Sequence, residues 1–171
     1  MTQSPRIALL KYLAGPRGSV DWIRTLWDEF ESWPGGKRAY SSLLGKLIPY
    51  TGSIPAEFKE LGPGVAKVKL RKAKHTQNHL GSVHAIALSN LAELAGNAAL
   101  AYSLPKDSRF IVKSMNTNYL KKARGVIVAH AECPIPDDNQ RQDCVVRIKM
   151  LDELGVEVAN AELVTLIGPA T

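Results

Sequence analysis

A short polar segment that leads into an apolar helix holds the residue types that could do chemistry in this chain. Residues 78–84 read Asn-His-Leu-Gly-Ser-Val-His, and the residues after them are mostly alanine and leucine. Glu93 is the only acidic residue between His84 and Leu100. An ionised carboxylate inside a protein is costly unless it is partnered or its pKa shifts. Asn78, His84, a helix N-terminus and a buried acid are the groups that acyl transfer or hydrolysis needs.

The spacing of His84 and Glu93 restricts how they could act together. Nine residues on one helix correspond to about 900° of rotation and about 13.5 Å along the axis, so the two side chains point to opposite sides. They cannot act on one atom within one subunit. We therefore predict a homo-oligomer in which His84 of one chain meets Glu93 of another, as a two-fold dimer allows.

The start of the same helix offers hydrogen-bond donors. The amides near His84 and Ala85 have no intrahelical acceptor and lie at the positive end of the helix dipole. They could stabilise the oxyanion of a carbonyl under attack, while Glu93 activates a water or attacks directly. Structural interpretations remain open: Glu93 could bond to a backbone amide, and His84 could cap the helix or lie in an interface.

The elements that must position these residues follow from the periodicity. Two amphipathic helices are predicted in the first fifty residues, ending at Pro34 and before Pro49. Apolar residues alternate over 66–71, which predicts a strand paired with residues 52–60. Four further strands are predicted at about 109–120, 125–133, 143–151 and 156–167. The short connections between these four favour a meander of antiparallel neighbours.

These elements predict an α+β fold. Because the helix after His84 has no polar face, it belongs inside the protein. A six-stranded antiparallel sheet wrapped around this central helix would bury it on every side. We predict an N-terminal helical extension at residues 1–49 and a sheet-and-helix domain at residues 50–171, in one folding unit.

Composition limits the partners and the compartment. The chain has 171 residues, of which 45% are hydrophobic, enough for one domain with a proper core. The two cysteines form neither a disulfide framework nor a metal-binding spacing, and the histidines do not favour a metal site. The first fifteen residues lack a convincing signal peptide, and no segment is apolar enough for a membrane span. A cytoplasmic protein without a membrane partner is predicted.

The net charge of +6 favours anionic partners. Lys67, Lys69 and Arg71 alternate along one predicted strand, and no aromatic residues lie between them for base stacking. This pattern is typical of a solvated strand face, so no nucleic-acid partner is predicted.

At Asn78, Gly81, His84 and Glu93 the sequence resembles the hot-dog-fold acyl-CoA thioesterases. The resemblance is to the branch related to the phenylacetate-pathway enzymes, within a largely uncharacterised bacterial subgroup. Residues 115–125 also resemble the strand and basic turn that follow in that family. The resemblance implies a hot-dog fold and hydrolysis of an acyl-CoA thioester by a homodimer or dimer of dimers, without a cofactor.

The resemblance also implies roles for individual residues. Glu93 would be the general base or nucleophile, His84 and the Ala85 amide would hold the thioester carbonyl, and Asn78 would place the carbonyl or a water. The substrate-binding residues would be Gly81, Ser82, Asn116, Lys121, Lys122 and Arg124. The last three would contact the phosphates of coenzyme A, which suits a basic turn at a strand end.

Two other functions stay open. Ala85 and Ile86 stand where the family has Gly-Gly, and Val112 stands where some relatives place a water-holding Ser or Thr. These differences favour an acyl-CoA or acyl-group binding protein with little hydrolytic activity. His79 and Glu93 have the spacing of the hydroxyacyl dehydratases, but the Phe-Pro-Gly surroundings of those enzymes are missing. The sequence does not predict which acyl group is bound.

Overall fold

The computed structural model describes residues 18–170, which form three helices and six strands. The helices are α1 (Asp21–Phe30), α2 (Gly36–Leu47) and α3 (Ala85–Ser103). The strands are β1 (Ala56–Gly62), β2 (Val65–Leu70), β3 (Ser108–Tyr119), β4 (Ile127–Glu132), β5 (Gln142–Leu151) and β6 (Glu157–Pro169). All neighbouring strands are antiparallel. The predicted six-stranded sheet around one apolar helix, preceded by two helices, is confirmed.

The strand order corrects the predicted meander. The order is β1-β2-β4-β5-β6-β3, so β3 pairs with β6 and lies three strand positions away from β4. Residues 120–126 connect them, and seven extended residues can span about 23 Å. That exceeds three strand spacings of about 4.8 Å, so a short connection does not require neighbouring strands. This crossover passes the start of α3, where the Val83 amide donates to the carbonyl of buried Ala123 at 2.8 Å.

An irregularity in β3 decides which of its side chains face the helix. The register against β6 shifts after Val112, and Lys113 is the extra residue. One extra residue turns every later side chain to the opposite face of the sheet. Beyond the bulge, Thr117 and Tyr119 therefore face α3, whereas Asn116 lies on the outer face of the sheet.

Helix α3 is buried over most of its surface, and one stripe of it stays open. Most of its residues are buried, but Ile86 is 56% exposed, and Glu93 and Asn97 are half-buried. These residues lie on one face of the helix, because spacings of seven and eleven are close to whole numbers of turns. One stripe of α3 is therefore left open by the described part of the chain.

Helices α1 and α2 share a core with the sheet. Tyr40 packs edge-to-face against Trp27 at 5.1 Å and against Phe58 at 5.2 Å between ring centroids, and all three are buried. Such pairs add about 0.5–1.5 kcal/mol beyond the burial of their area. The boundary at residues 49 and 50 remains a prediction.

None of the helices within residues 18–170 is long and apolar enough to cross a bilayer. The prediction that the first fifteen residues are not a signal peptide lies outside the described residues.

Candidate functional site

Asn78 builds the turn that leads into α3. Its side-chain oxygen accepts hydrogen bonds from the amides of Leu80 at 2.9 Å and Ser82 at 3.1 Å. Its own amide donates to the Ser82 carbonyl at 2.8 Å. Gly81 has a φ of +69°, a conformation that favours glycine, and open space surrounds the position of its missing Cβ. Asn78 and Gly81 thus give this loop its shape.

His84 ends the loop and caps α3. Its backbone is extended, with φ −63° and ψ 140°, and its Nδ1 accepts from the amide of Ile86 at 3.1 Å. The amides of Ala85 and Ala87 have no hydrogen-bond acceptor within residues 18–170. The helix start therefore keeps two unpaired donors at the positive end of its dipole.

An open groove of about 430 Å³ lies at this helix start, between the Asn78–Ser82 turn and the beginning of the crossover. Leu80, Val83 and Leu88 supply apolar lining. The groove brings together five residues that the sequence predicts at the site: Asn78, Ser82, Ala85, Lys121 and Lys122.

The hydroxyl of Ser82 is buried and unpartnered beside this groove. The residue is only 4% exposed, and its Oγ has no hydrogen-bond partner among the described residues. A buried polar group without a partner costs about 1–3 kcal/mol.

Tyr119, which sequence reasoning missed, ties β3 to the first turn of α3. Its hydroxyl donates to the Ala85 carbonyl at 3.1 Å and lies 2.7 Å from the Ser89 hydroxyl. The Ser89 hydroxyl is also 3.4 Å from that of Thr117. Residues two apart on a strand share a face. The spacing of Thr117 and Tyr119 could therefore have predicted two hydroxyl groups on the same face of β3.

Other predicted residues lie away from the groove. Asn116 is on the outer face of the sheet, where it pairs with Glu162. Arg124 is exposed on the crossover. Glu93 lies about 12 Å further along α3 than Ala85. Its carboxylate forms no hydrogen bond or ion pair with any residue that the structure describes.

His84 lines a separate cavity of about 240 Å³ with Ile86 and Asn90. The Asn90 amide group donates to the Tyr50 carbonyl and to the Ser53 hydroxyl, both at 3.2 Å. Its side-chain oxygen is buried without a partner in the described part of the chain. The imidazole and the groove thus lie on different sides of the helix start.

Possible metal-binding side chains are not clustered in the described part of the chain. Among residues 18–170, no three His, Cys, Asp or Glu side chains lie close enough to hold a metal ion.

Comparison with solved structures identifies the fold. The crystal structure described as genomics APC5556 is 30% identical, with a TM-score of 0.75, over 88% of this chain and 99% of that chain. A Pseudomonas aeruginosa protein described as a probable thioesterase is 23% identical, with a TM-score of 0.69, over 80% and 97%. A Haemophilus influenzae thioesterase is 18% identical, with a TM-score of 0.65, over 75% and 90%. The predicted hot-dog fold is confirmed, and the phenylacetate-related branch remains a prediction.

Sequence comparison gives the family. No curated protein matches the sequence. One family model, described as a domain of unknown function (DUF4442), matches residues 36–167, which include α2, α3 and the whole sheet almost to its end. The chain is therefore a hot-dog-fold protein that belongs to the DUF4442 family.

Proposed function

We propose that the protein hydrolyses an acyl-CoA thioester at a site shared between two subunits. The observation that carries this proposal is the groove at the start of α3. There, the Ala85 amide and the Ser82 hydroxyl, which have no partner within residues 18–170, adjoin Lys121 and Lys122. The solved relatives from P. aeruginosa and H. influenzae, described as a probable thioesterase and a thioesterase, support the same chemistry.

The thioester carbonyl is bound at the helix start. Its oxygen gains negative charge when water attacks, and the Ala85 amide donates to that oxygen at the positive end of the helix dipole. Ser82 offers a second donor in the same groove. A fixed donor of this kind is worth about 10²–10³ in rate.

Glu93 of the partner subunit supplies the base. It takes a proton from water as the new carbon–oxygen bond forms, and it returns that proton to sulfur as the carbon–sulfur bond breaks. Glu93 suits this role because its carboxylate has no partner in the described chain and lies on the open stripe of α3. The products are a free acid and coenzyme A.

The edge of β3, which has no pairing strand within residues 18–170, supports a dimer. This strand ends the sheet, and it carries exposed Ile111, Met115 and Tyr119. Unpaired apolar edges are prone to pair with another chain. Pairing of two β3 edges would continue the sheet and bring a second α3 towards the groove.

Lysines at the groove and Arg124 nearby support coenzyme A as the leaving group. Lys121 and Lys122 line the groove, and all three cations are exposed without an ion pair among the described residues. Phosphates of a nucleotide bind strongly to such side chains.

The decisive test is thiol release from short, medium, long and aromatic acyl-CoAs. We expect Glu93→Gln to lower kcat about 10²–10⁴-fold, the usual range for loss of a general base. Glu162→Gln, which removes a charge on the outer face of the sheet, serves as the matched control and should keep the wild-type rate. Unchanged release in Glu93→Gln, or full activity in a monomer shown by sedimentation, would contradict the proposal.

A binding protein with little hydrolysis is the second candidate. The Ala85 methyl group favours it, because Ala85 lines the groove beside the amide that the carbonyl must reach. Calorimetry with the same acyl-CoAs separates the two functions. Tight binding without thiol release that depends on Glu93 would establish the binder.

A further inference from the structure

The cavity that His84 lines and the groove flank the start of α3. Ala85 lines the groove, whereas its neighbours in the chain, His84 and Ile86, line the cavity. No residue lines both. The cavity has a volume of about 240 Å³, which is below the roughly 300–1,000 Å³ typical of drug-sized ligands. Its size therefore suits a small group.

The apolar lining of this His84 cavity is open to a ligand. Tyr50 is 67% exposed and Ile86 is 56% exposed, so residues 18–170 leave two large apolar side chains uncovered there. Removal of such area from water favours binding. No Lys, Arg, Asp or Glu among the described residues lines the cavity. It therefore suits an uncharged, apolar group.

The segment that carries Tyr50 is fixed to α3. The side-chain amide of Asn90, a buried residue of α3, donates to the Tyr50 carbonyl and to the Ser53 hydroxyl, both at 3.2 Å. The Ser53 amide donates to the same carbonyl at 3.0 Å. Three hydrogen bonds thus hold residues 50–53 beside the helix, and the Tyr50 ring has a defined place at the cavity.

The position of the thioester relates the groove to the cavity. In the site proposed above, the Ala85 amide binds the carbonyl oxygen, and coenzyme A lies along Lys121 and Lys122. The carbonyl carbon is planar, so its sulfur and its acyl carbon leave in different directions. With the sulfur in the groove, the acyl carbon is directed across the helix start, towards His84 and Ile86.

We infer that the His84 cavity binds the acyl group, and that Tyr50 and Ile86 select a short, uncharged, apolar acyl group such as butyryl or hexanoyl. This inference rests on the proposed function for the place of the carbonyl. Tyr50 lies between α2 and β1, so the connection from the N-terminal helices contributes to the specificity of the site.

Calorimetry on the full chain with S-ethyl-, S-butyl-, S-hexyl- and S-dodecyl-CoA tests the inference. These thioethers have no carbonyl to hydrolyse, so binding is measured apart from thiol release. We expect S-butyl-CoA to bind about 16-fold more tightly than S-ethyl-CoA, because each buried methylene contributes about a factor of four. S-dodecyl-CoA should bind no more tightly than S-hexyl-CoA, because its further methylenes lie outside the cavity. Equal affinity for S-ethyl- and S-hexyl-CoA, or an undiminished gain up to S-dodecyl-CoA, would overturn the inference.

Variants locate the acyl group. Tyr50→Ala should weaken S-hexyl-CoA about tenfold and leave S-ethyl-CoA unchanged, because it removes apolar contact area from the cavity alone. Ile86→Trp should fill the cavity and reduce the affinity for S-hexyl-CoA to that for S-ethyl-CoA. Leu154→Ala, at a residue that is 88% exposed between β5 and β6, is the matched control and should have no effect. Wild-type preference for S-hexyl-CoA in folded Tyr50→Ala and Ile86→Trp would overturn the assignment.

Thiol release from hexanoyl-CoA distinguishes this inference from the proposed hydrolysis. If the variants change the thioether affinities as expected but no acyl-CoA is cleaved, the cavity is the acyl site of a binding protein. If hexanoyl-CoA is cleaved equally fast by the wild type, Tyr50→Ala and Ile86→Trp, hydrolysis stands and the inference is overturned.

Discussion

The two ends of α3 differ in how their polar groups are used. At the C-terminal end, the Ser103 hydroxyl donates to the Ala99 carbonyl at 2.6 Å and accepts from the Gly64 amide at 2.7 Å. At the N-terminal end, the Ala85 amide and the Ser82 hydroxyl have no partner among the described residues. Buried polar groups that serve only stability are normally hydrogen-bonded. One end of the helix is therefore a structural joint, and the other keeps unpaired donors, as the proposed site requires.

Between the two ends of α3, the largest effect is expected from removing a donor at the N-terminal end. Ala85→Pro deletes the amide hydrogen but keeps the helix, because proline is tolerated at the first helical position. His84 already has the extended backbone that the residue before proline prefers. We expect kcat for thiol release to fall about 10²–10³-fold with little change in Tm.

Ala85→Gly is the matched control for the proline variant, because it keeps the amide and removes only the methyl group. It should retain at least the wild-type rate. If Ala85→Pro is as active as the wild type, the N-terminal end of α3 is no more catalytic than its C-terminal end.

The second prediction compares one serine from each end. Ser103→Ala leaves the buried Gly64 amide unpaired and should lower the free energy of unfolding by about 1–3 kcal/mol in urea titrations. Ser82→Ala removes a hydroxyl that has no partner, so stability should be unchanged or slightly higher. Thiol release should decrease only in Ser82→Ala. The reverse pattern would show that the two ends are assigned the wrong way round.

The smallest effect separates two roles of His84. His84→Ala removes the helix cap and should cost about 1 kcal/mol of unfolding free energy, measured by thermal or urea unfolding. His84→Asn restores a capping oxygen and should recover that stability. If the imidazole also acts on the thioester, both variants should lose the same activity. If His84→Asn recovers the activity, the histidine only caps the helix and does not act on the thioester.

Much of the fold could be predicted because it depends on local periodicity. The bounds predicted for the last four strands agree with the structure to within a few residues, since alternation and turn residues mark them in the sequence. The neighbour of β3 could not be predicted in this way. A seven-residue connection fits a hairpin or a crossover equally well, and only packing over the whole sheet decides between them.

The site could be predicted in part. One groove contains Asn78, Ser82, Ala85, Lys121 and Lys122, because the loop ends at the start of α3 and the crossover passes it. Asn116 does not join them, because the bulge at Lys113 reverses the faces of β3 beyond it. The residues around Lys113 carry no turn or glycine signal that would predict a bulge. Alternation along β3 therefore could not predict which side chains after Lys113 face α3.

The crossover after β3 lines the groove as well as connecting two strands. Its residues form one wall of the groove, and the Val83–Ala123 hydrogen bond joins that wall to the loop before α3. If β3 were instead followed by its neighbour in the sheet, as in a meander, the connection would not cross the start of α3. The groove would then lack the wall that the crossover forms. The groove at the start of α3 thus depends on the strand order as well as on the residues that line it.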